Sequence, residues 1–214
     1  MTIHENESES ENEKDIESRT IYGKYMYGEI IRDFPSLIDS LGRLIIQSAS
    51  TCIDLLGLAQ SLHVRIEYSS KLKTAFELYR PQSREFNHHY EDILVVTDHQ
   101  VTYQQQAWLV GEGLAKYILS SVEYVPDFSK NTDAMTKWSV ESLAAKLLLP
   151  NDLVEHVTDL AIDMNKNTLN IVDFYNQDLI FNTPRVTIIG HTAAQLANVP
   201  EWLMKQRMTE FYDG

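Results

Sequence analysis

The stretch DILVVTDHQVTYQQQAWLVGEGLAKYIL, residues 92–119, decides the fold. Its first six residues have an apolar centre, which is typical of a well-buried strand. A short polar turn follows, and from Tyr103 to Ser120 the apolar residues recur at helical spacing. The stretch therefore predicts a buried strand and, directly after it, a long helix.

Two shorter segments upstream complete a small sheet. Apolar and polar residues alternate in VRIEY (64–68) and in AFELY (75–79). This alternation predicts two half-buried strands, since successive side chains of a strand point to opposite faces. Together with the buried strand of 92–97, they make three strands between helical segments.

Helical spacing predicts the rest of the secondary structure. Before the sheet, one helix is expected to start near Pro35 and run to Ile45, and a second to span 52–62 with Thr51 as its N-cap. After the sheet, further helices are predicted over about 133–149, ending at Pro150, and over 152–164, 169–176 and 202–211. Helices, a small sheet and more helices make the expected fold class α+β.

Charge is the skewed feature of the composition. The 214 residues carry 31 acidic and 18 basic side chains, a net charge of −13. This balance argues against a protein that holds DNA or RNA phosphates on a broad basic face, and against one drawn to an anionic membrane surface. It leaves open a basic protein partner, an acidic decoy that occupies a nucleic-acid groove, or an acidity that only keeps the protein soluble.

Part of this acidity lies at the start of the chain. Residues 1–19 hold seven acidic and two basic side chains but only three aliphatic or Met residues. Such a segment cannot bury enough apolar surface to offset its ordering entropy, so we predict a disordered acidic tail. The remainder divides into an N-terminal helical extension (20–50), a core (51–155) and a C-terminal helical region (156–214).

The single cysteine, Cys52, excludes an internal disulfide and a thiolate metal cluster. Its apolar surroundings predict a buried, inert thiol. The chain starts without a basic segment followed by an apolar run, and no window approaches about 18 uninterrupted apolar residues. We therefore expect a reduced, cytoplasmic protein.

Three segments, taken in order, resemble the ImmA/IrrE family of zincin-like metallopeptidases. They are IDLLGLAQSLHVRIEY (53–68), the stretch 92–119 quoted above, and SVESLAAKLLLP (139–150). In that family the first is an opening helix and strand, the second carries a strand and the HExxH helix, and the third is a helix that ends in AAxLLMP. The resemblance covers about residues 50–155 and implies a zincin-like core, a small sheet packed on an active-site-type helix.

The resemblance also implies where a metal site would lie. HExxH falls on GEGLA, so the two histidine positions are Gly111 and Ala115, and only the general-base position, Glu112, keeps its side chain. The third ligand position falls on Ser139. Glu141 is two residues further along, and about 200° of helical rotation would turn it to the opposite face. We therefore expect no metal, no cofactor and no catalytic residue, but a groove lined by Gly111, Glu112, Ala115 and Ser139.

These features lead to three alternative functions. The first is a non-catalytic, peptidase-like protein of a mobile genetic element such as a phage, which binds and modulates a helix-turn-helix repressor or another regulator. The second is an acidic inhibitor that imitates nucleic acid against a restriction or CRISPR nuclease. The third is a metallopeptidase with an unconventional site, in which His99 approaches Glu112. Carboxylates aligned on one face would favour the second over the first.

Direct binding of nucleic acid is not expected. The segment PRVTIIGHT (184–192), which stands where a recognition helix would, contains one arginine and is rich in β-branched residues. A helix that reads DNA presents several basic or amide side chains to phosphates and base edges.

Overall fold

The computed structural model describes residues 22–46, 49–80, 92–121, 138–167 and 183–212. Within these ranges the chain has an α+β fold with eight α-helices, one 3₁₀ turn and three strands. The helices are α1 (Gly28–Asp33), α2 (Ile38–Leu41), α3 (Leu55–Ser61), α4 (Tyr103–Ser121), α5 (Val140–Leu148), α6 (Asn151–Asn165), α7 (Thr183–Ala197) and α8 (Glu201–Tyr212). The strands are β1 (Val64–Ser69), β2 (Phe76–Tyr79) and β3 (Asp92–Thr97), and the 3₁₀ turn is Pro35–Leu37.

The sheet has the order β1-β3-β2, so the apolar strand β3 lies in its centre. β3 runs parallel to β1, with Val64 opposite Asp92, and antiparallel to β2, with Phe76 opposite Val96. Leu94 and Val96 of β3 are completely buried. α4 packs across this central strand and β2, which makes strand β3 and helix α4 the centre of the molecule.

A reciprocal pair of hydrogen bonds fixes the start of α4. The Gln105 backbone N–H donates to Thr102 Oγ1 at 3.2 Å, and the Thr102 N–H donates to Gln105 Oε1 at 2.9 Å. This arrangement is a capping box, which satisfies backbone donors that the first helical turn leaves free. The box sets where the helix begins after the turn from β3.

The N-terminal extension belongs to the same core as α4 and α5. Ile30, Ile31 and Phe34 are completely or almost completely buried in the cluster that contains the inner faces of those helices. The buried carboxylate of Asp33 accepts a hydrogen bond from Trp138 Nε1 at 2.7 Å. The Tyr27 hydroxyl donates to the backbone oxygen of Leu147 at 2.8 Å. Because unpaired polar groups are costly inside a protein, these bonds attach the extension firmly to α5.

The helices α6, α7 and α8 form a second apolar cluster beside the first. Arg207 of α8 is only 2% exposed, and its Nε donates to the Leu149 backbone oxygen at 3.1 Å. Its Nη2 donates to Asn151 Oδ1 at 2.8 Å. Arg207 thus bonds on both sides of Pro150, where α5 ends and α6 begins. No described helix is long and apolar enough to cross a membrane.

Several predicted elements are confirmed by the structure. β3 spans its predicted residues, and α4 extends one residue beyond its predicted end at Ser120. The strands β1 and β2 and the helices α6 and α8 begin and end within one residue of their predicted bounds. α5 ends before Pro150, as predicted. The predicted tail (1–19) and the predicted helix over 169–176 lie outside the described residues.

Other predictions about the helices before the sheet are wrong. α3 begins at Leu55, and its N-cap is Asp54 instead of Thr51 because the Asp54 carboxylate accepts hydrogen bonds from the N–H groups of Leu56 and Gly57. Cys52 therefore precedes the helix and is exposed, not buried. The helix expected to run from Pro35 to Ile45 is instead a 3₁₀ turn followed by the single turn α2.

The helix predicted over 133–149 also begins later than expected. Trp138 and Ser139 are not helical, and α5 starts at Val140 with Ser139 as its N-cap. The Ser139 hydroxyl accepts a hydrogen bond from the Ser142 N–H at 3.0 Å, which fixes that boundary. At the other end of the chain, the polar break expected around Thr183 and Pro184 is the first turn of α7.

Candidate functional site

The contact between α4 and α5 contains the positions at which the resemblance places a metal site. Gly111 is buried and faces α5: a Cβ built on it would lie 2.7 Å from Leu148 Cδ1 and 2.9 Å from Leu148 Cγ. The Leu148 side chain therefore occupies the space beside this glycine. Ala115, one turn further along α4, is completely buried in the same core. Both histidine positions of the motif thus lie in packed apolar interior.

Gly113 makes the corresponding contact with the sheet. A Cβ at this position would lie 3.1 Å from Leu94 Cγ and closer still to both Leu94 methyl groups. The two glycines let α4 approach the sheet at Gly113 and α5 at Gly111. Such close approach is one of the uses of glycine in a helix, where it otherwise costs about 1 kcal/mol relative to alanine.

Glu112 lies between the two glycines in sequence and is half-buried. Burial raises the pKa of its carboxyl, and the negative charge of Glu141 raises that pKa further. A rotation of about 200° between Ser139 and Glu141 would hold if both residues were helical, whereas Ser139 caps α5 and has extended backbone. The structure brings Glu112 and Glu141 close enough for their charges to interact.

Ser139, the third ligand position, is exposed at the start of α5. Its hydroxyl accepts the hydrogen bond from the Ser142 backbone N–H, so the side chain is turned towards the first turn of α5. Of the four residues expected to line a groove, Gly111 and Ala115 are interior, Glu112 is half-buried and Ser139 is on the surface. The negative charge of Glu141 acts on Glu112, an influence that the sequence did not predict.

The described histidines add no ligand to this pair. His99 is exposed in the turn after β3, and His63 is exposed at the end of α3, where its φ of 58° is left-handed. His191 is engaged by Glu201 and Gln195, each at 3.0 Å. Among the described residues, no group of three or more His, Cys, Asp and Glu side chains could hold a metal ion.

Two cavities lie elsewhere, beside the N-terminal extension. One of about 310 Å³ lies between α1 and the corner of α5 and α6, and one of about 420 Å³ lies between the extension and the start of α3. In the first, Lys146 pairs with Glu29 at 2.8 Å, and Arg32 pairs with Asp33 at 3.3 Å. Its cations are thus matched by carboxylates of the chain itself. None of the four groove residues lines either cavity.

Comparison of the chain with protein-family models, with curated proteins and with solved structures gives no match.

The glycine contacts of α4 can be tested by adding a methyl group. Gly113→Ala is expected to lower the free energy of unfolding by about 1–2 kcal/mol, because the clash with buried Leu94 exceeds the gain in helix propensity. In Gly190→Ala on α7, the new Cβ meets the flexible Lys205 side chain at 3.3 Å and Met208 Sδ at an ordinary contact distance of 3.8 Å. That control is expected to gain up to about 1 kcal/mol. Urea unfolding measures both, and equal stabilisation by the two substitutions would contradict the close contact.

The raised pKa of Glu112 predicts a pH-dependent effect of Glu112→Gln. The folded state binds this proton more tightly than the unfolded state does, so the ionised carboxylate destabilises the fold above its folded pKa. The variant is therefore expected to be more stable than the wild type at pH 8. The difference should shrink as the pH falls through the raised pKa towards the ordinary value of about 4.3.

Chemical denaturation between pH 5 and pH 8 measures this difference. Glu155→Gln, which removes an exposed carboxylate from α6, controls for the loss of one surface charge. A Glu112→Gln variant that is less stable than the wild type at pH 8 would show that the charge of Glu112 is favourably bound instead.

Proposed function

We propose that this protein is a non-catalytic relative of the zincin-like peptidases that acts by binding another protein without cutting it. The support comes from the order of helix, strands, long helix and capped helix in α3 to α5, which parallels the order of the three resembling segments. The observation that carries the proposal is the Leu148 side chain packed against Gly111, where a zinc-binding imidazole would have to project.

The chemistry of the motif depends on all of its ligands. In a zincin, two imidazoles and a third ligand hold zinc, and the glutamate between them activates the metal-bound water. Here a histidine at position 111 would displace Leu148, and a histidine at 115 would enter a completely buried position. Ser139 serves as a helix cap. Glu112 alone has no metal-bound water to deprotonate, so peptide hydrolysis in the manner of that family is not expected.

A peptidase-like fold without zinc can still hold a protein. Extended segments bind to such folds as an added strand along an edge of the sheet, and this mode needs no metal. The edge strand β2 is antiparallel to β3 and packs beside α4, which makes it the appropriate edge. The partner that the resemblance implies is a repressor of the helix-turn-helix class, or a similar regulator. By binding the repressor, this protein would keep it away from DNA.

Metal analysis tests this proposal. We expect protein purified from zinc-supplemented cells to hold far less than one zinc per chain, and its thermal unfolding to be unchanged by EDTA or by added zinc. An active zincin prepared in the same way controls for metal lost during purification. One tightly bound zinc per chain, or cleavage of a repressor that Glu112→Gln abolishes, would overturn the proposal.

The second alternative, an acidic inhibitor, is favoured by a different observation. The exposed face of α6 carries four carboxylates at intervals of three, four and four residues: Asp152, Glu155, Asp159 and Asp163. This spacing places them in one row of roughly 16 Å along the helix. Within the described chain, only Asp163 pairs with a cation, Lys166 at 2.6 Å. A row of uncompensated charge is what a basic nucleic-acid channel would recognise.

A pair of matched variants tests this row. Glu155→Gln with Asp159→Asn removes two charges from it, and Asp39→Asn with Asp98→Asn removes two exposed charges elsewhere. If α6 imitates nucleic acid, a nucleic-acid-binding host enzyme that co-purifies with the wild type should be lost from the α6 double variant. The control double variant should retain that enzyme. Retention by both variants would rule out the acidic row as the contact.

A further inference from the structure

We propose that the outer edge of β2 recognises an extended partner segment in which a lysine or arginine stands two residues from an aromatic or β-branched residue. This inference rests on the proposed function, because it names the chemistry of the protein that binds. It follows from the side chains of β2 and from their register with β3.

β2 is an edge strand. Among the described residues it pairs with β3 alone, and within this part of the chain the backbone N–H and C=O groups of its other side are those to which a further strand could pair. Exposure alternates along it: Glu77 and Tyr79 are exposed, whereas Phe76 and Leu78 are half-buried on the side of α4. An added strand would therefore meet two different faces, and its alternate residues would be selected separately.

On the outer face, Glu77 supplies a negative charge at the edge. Val95 of β3 separates it from Glu67 of β1, since both glutamates stand opposite Val95 in the register. Glu67 is paired with Arg65 at 2.8 Å, whereas Glu77 accepts a hydrogen bond from the Thr74 hydroxyl at 3.1 Å and meets no cation in the described chain. A residue directly opposite Glu77 on an added strand would lie within about 5 Å between Cβ atoms, so a basic side chain is favoured there.

Tyr79, which lies two residues after Glu77 and on the same face of the sheet, supplies an apolar anchor. Its side chain is 63% exposed and stands beside Ile93 of β3. Aromatic and β-branched residues make the favourable cross-strand pairs with such a ring. Because alternate residues of a strand share a face, the basic and the aromatic residue of the partner must be two apart.

The inner face of β2, which lies towards α4, decides on which face of the sheet the basic residue of the segment is placed. The Lys116 ammonium of α4 lies 5.7 Å from the centre of the Phe76 ring. A basic residue placed on this face would meet a like charge, so apolar residues are favoured there. The segment is thus expected to alternate, with basic and aromatic residues outward and apolar residues inward.

The experiment uses the full-length ¹⁵N-labelled protein and a synthetic peptide, acetyl-Thr-Val-Lys-Val-Tyr-Val-Thr-amide. NMR titration is expected to shift the amides of Glu77 to Tyr79, and a peptide with Glu in place of Lys should bind about five-fold more weakly. Glu77→Lys should reverse this preference. Glu67→Lys, which changes a glutamate on the opposite edge of the sheet, should leave the preference as in the wild type.

Reversal by Glu77→Lys but not by Glu67→Lys supports the proposal, because a merely structural role of Glu77 would not exchange the charge preference. Equal binding of both peptides, an unchanged preference in Glu77→Lys, or self-association of the protein through β2 would overturn it. Mass spectrometry of the recovered peptide tests the proposed function separately. A cut peptide contradicts a non-catalytic role, whereas an intact peptide without charge preference contradicts only the inference about β2.

Discussion

The close approach of α4 to two neighbours at once is the constraint on which the rest of the structure depends. At Gly113 the helix backbone meets Leu94 of the central strand, and at Gly111 it meets Leu148 of α5. Neither contact leaves room for a Cβ. The same two glycines thus bring α4 against both the sheet and α5, and at Gly111 the Leu148 side chain fills the space beside the helix.

The other parts of the chain strengthen this arrangement by holding α5. On one side, the N-terminal extension contributes the bond between Trp138 and the buried Asp33, together with the bond from Tyr27 to Leu147. On the other side, Arg207 bonds to Leu149 and Asn151 at the corner with α6. Each of these bonds satisfies a polar group in or near the interior, where an unpaired donor or acceptor costs about 1–3 kcal/mol. The extension and the C-terminal helices thus fix the helix whose Leu148 side chain packs against Gly111.

The centre of the fold could be predicted from the sequence because its signals are local. The apolar run of β3 and the helical spacing of α4 each determine one element without reference to the rest of the chain. Helix starts were harder to predict, since several residues can serve as caps: Asp54, not Thr51, caps α3, and Ser139 caps α5.

The sequence names the residues of the candidate site but does not predict their surroundings. The register identified Gly111, Glu112, Ala115 and Ser139 from the order of motifs alone. The burial of Gly111 depends on Leu148, which is 37 positions further along the chain, and on how closely two helices pack. No sequence pattern states that distance. The raised pKa of Glu112 depends on the same packing, because both the burial and the neighbouring charge come from tertiary contacts.

The central claim is that Leu148, and not a metal ion, occupies the space beside Gly111. The most direct test is a nuclear Overhauser measurement between the δ-methyl protons of Leu148 and the Hα protons of Gly111, made without zinc and with excess zinc. Strong cross-peaks that zinc leaves unchanged are the expected result. Their absence, or their loss when zinc is added, would show that the space is open to a metal and would contradict the account.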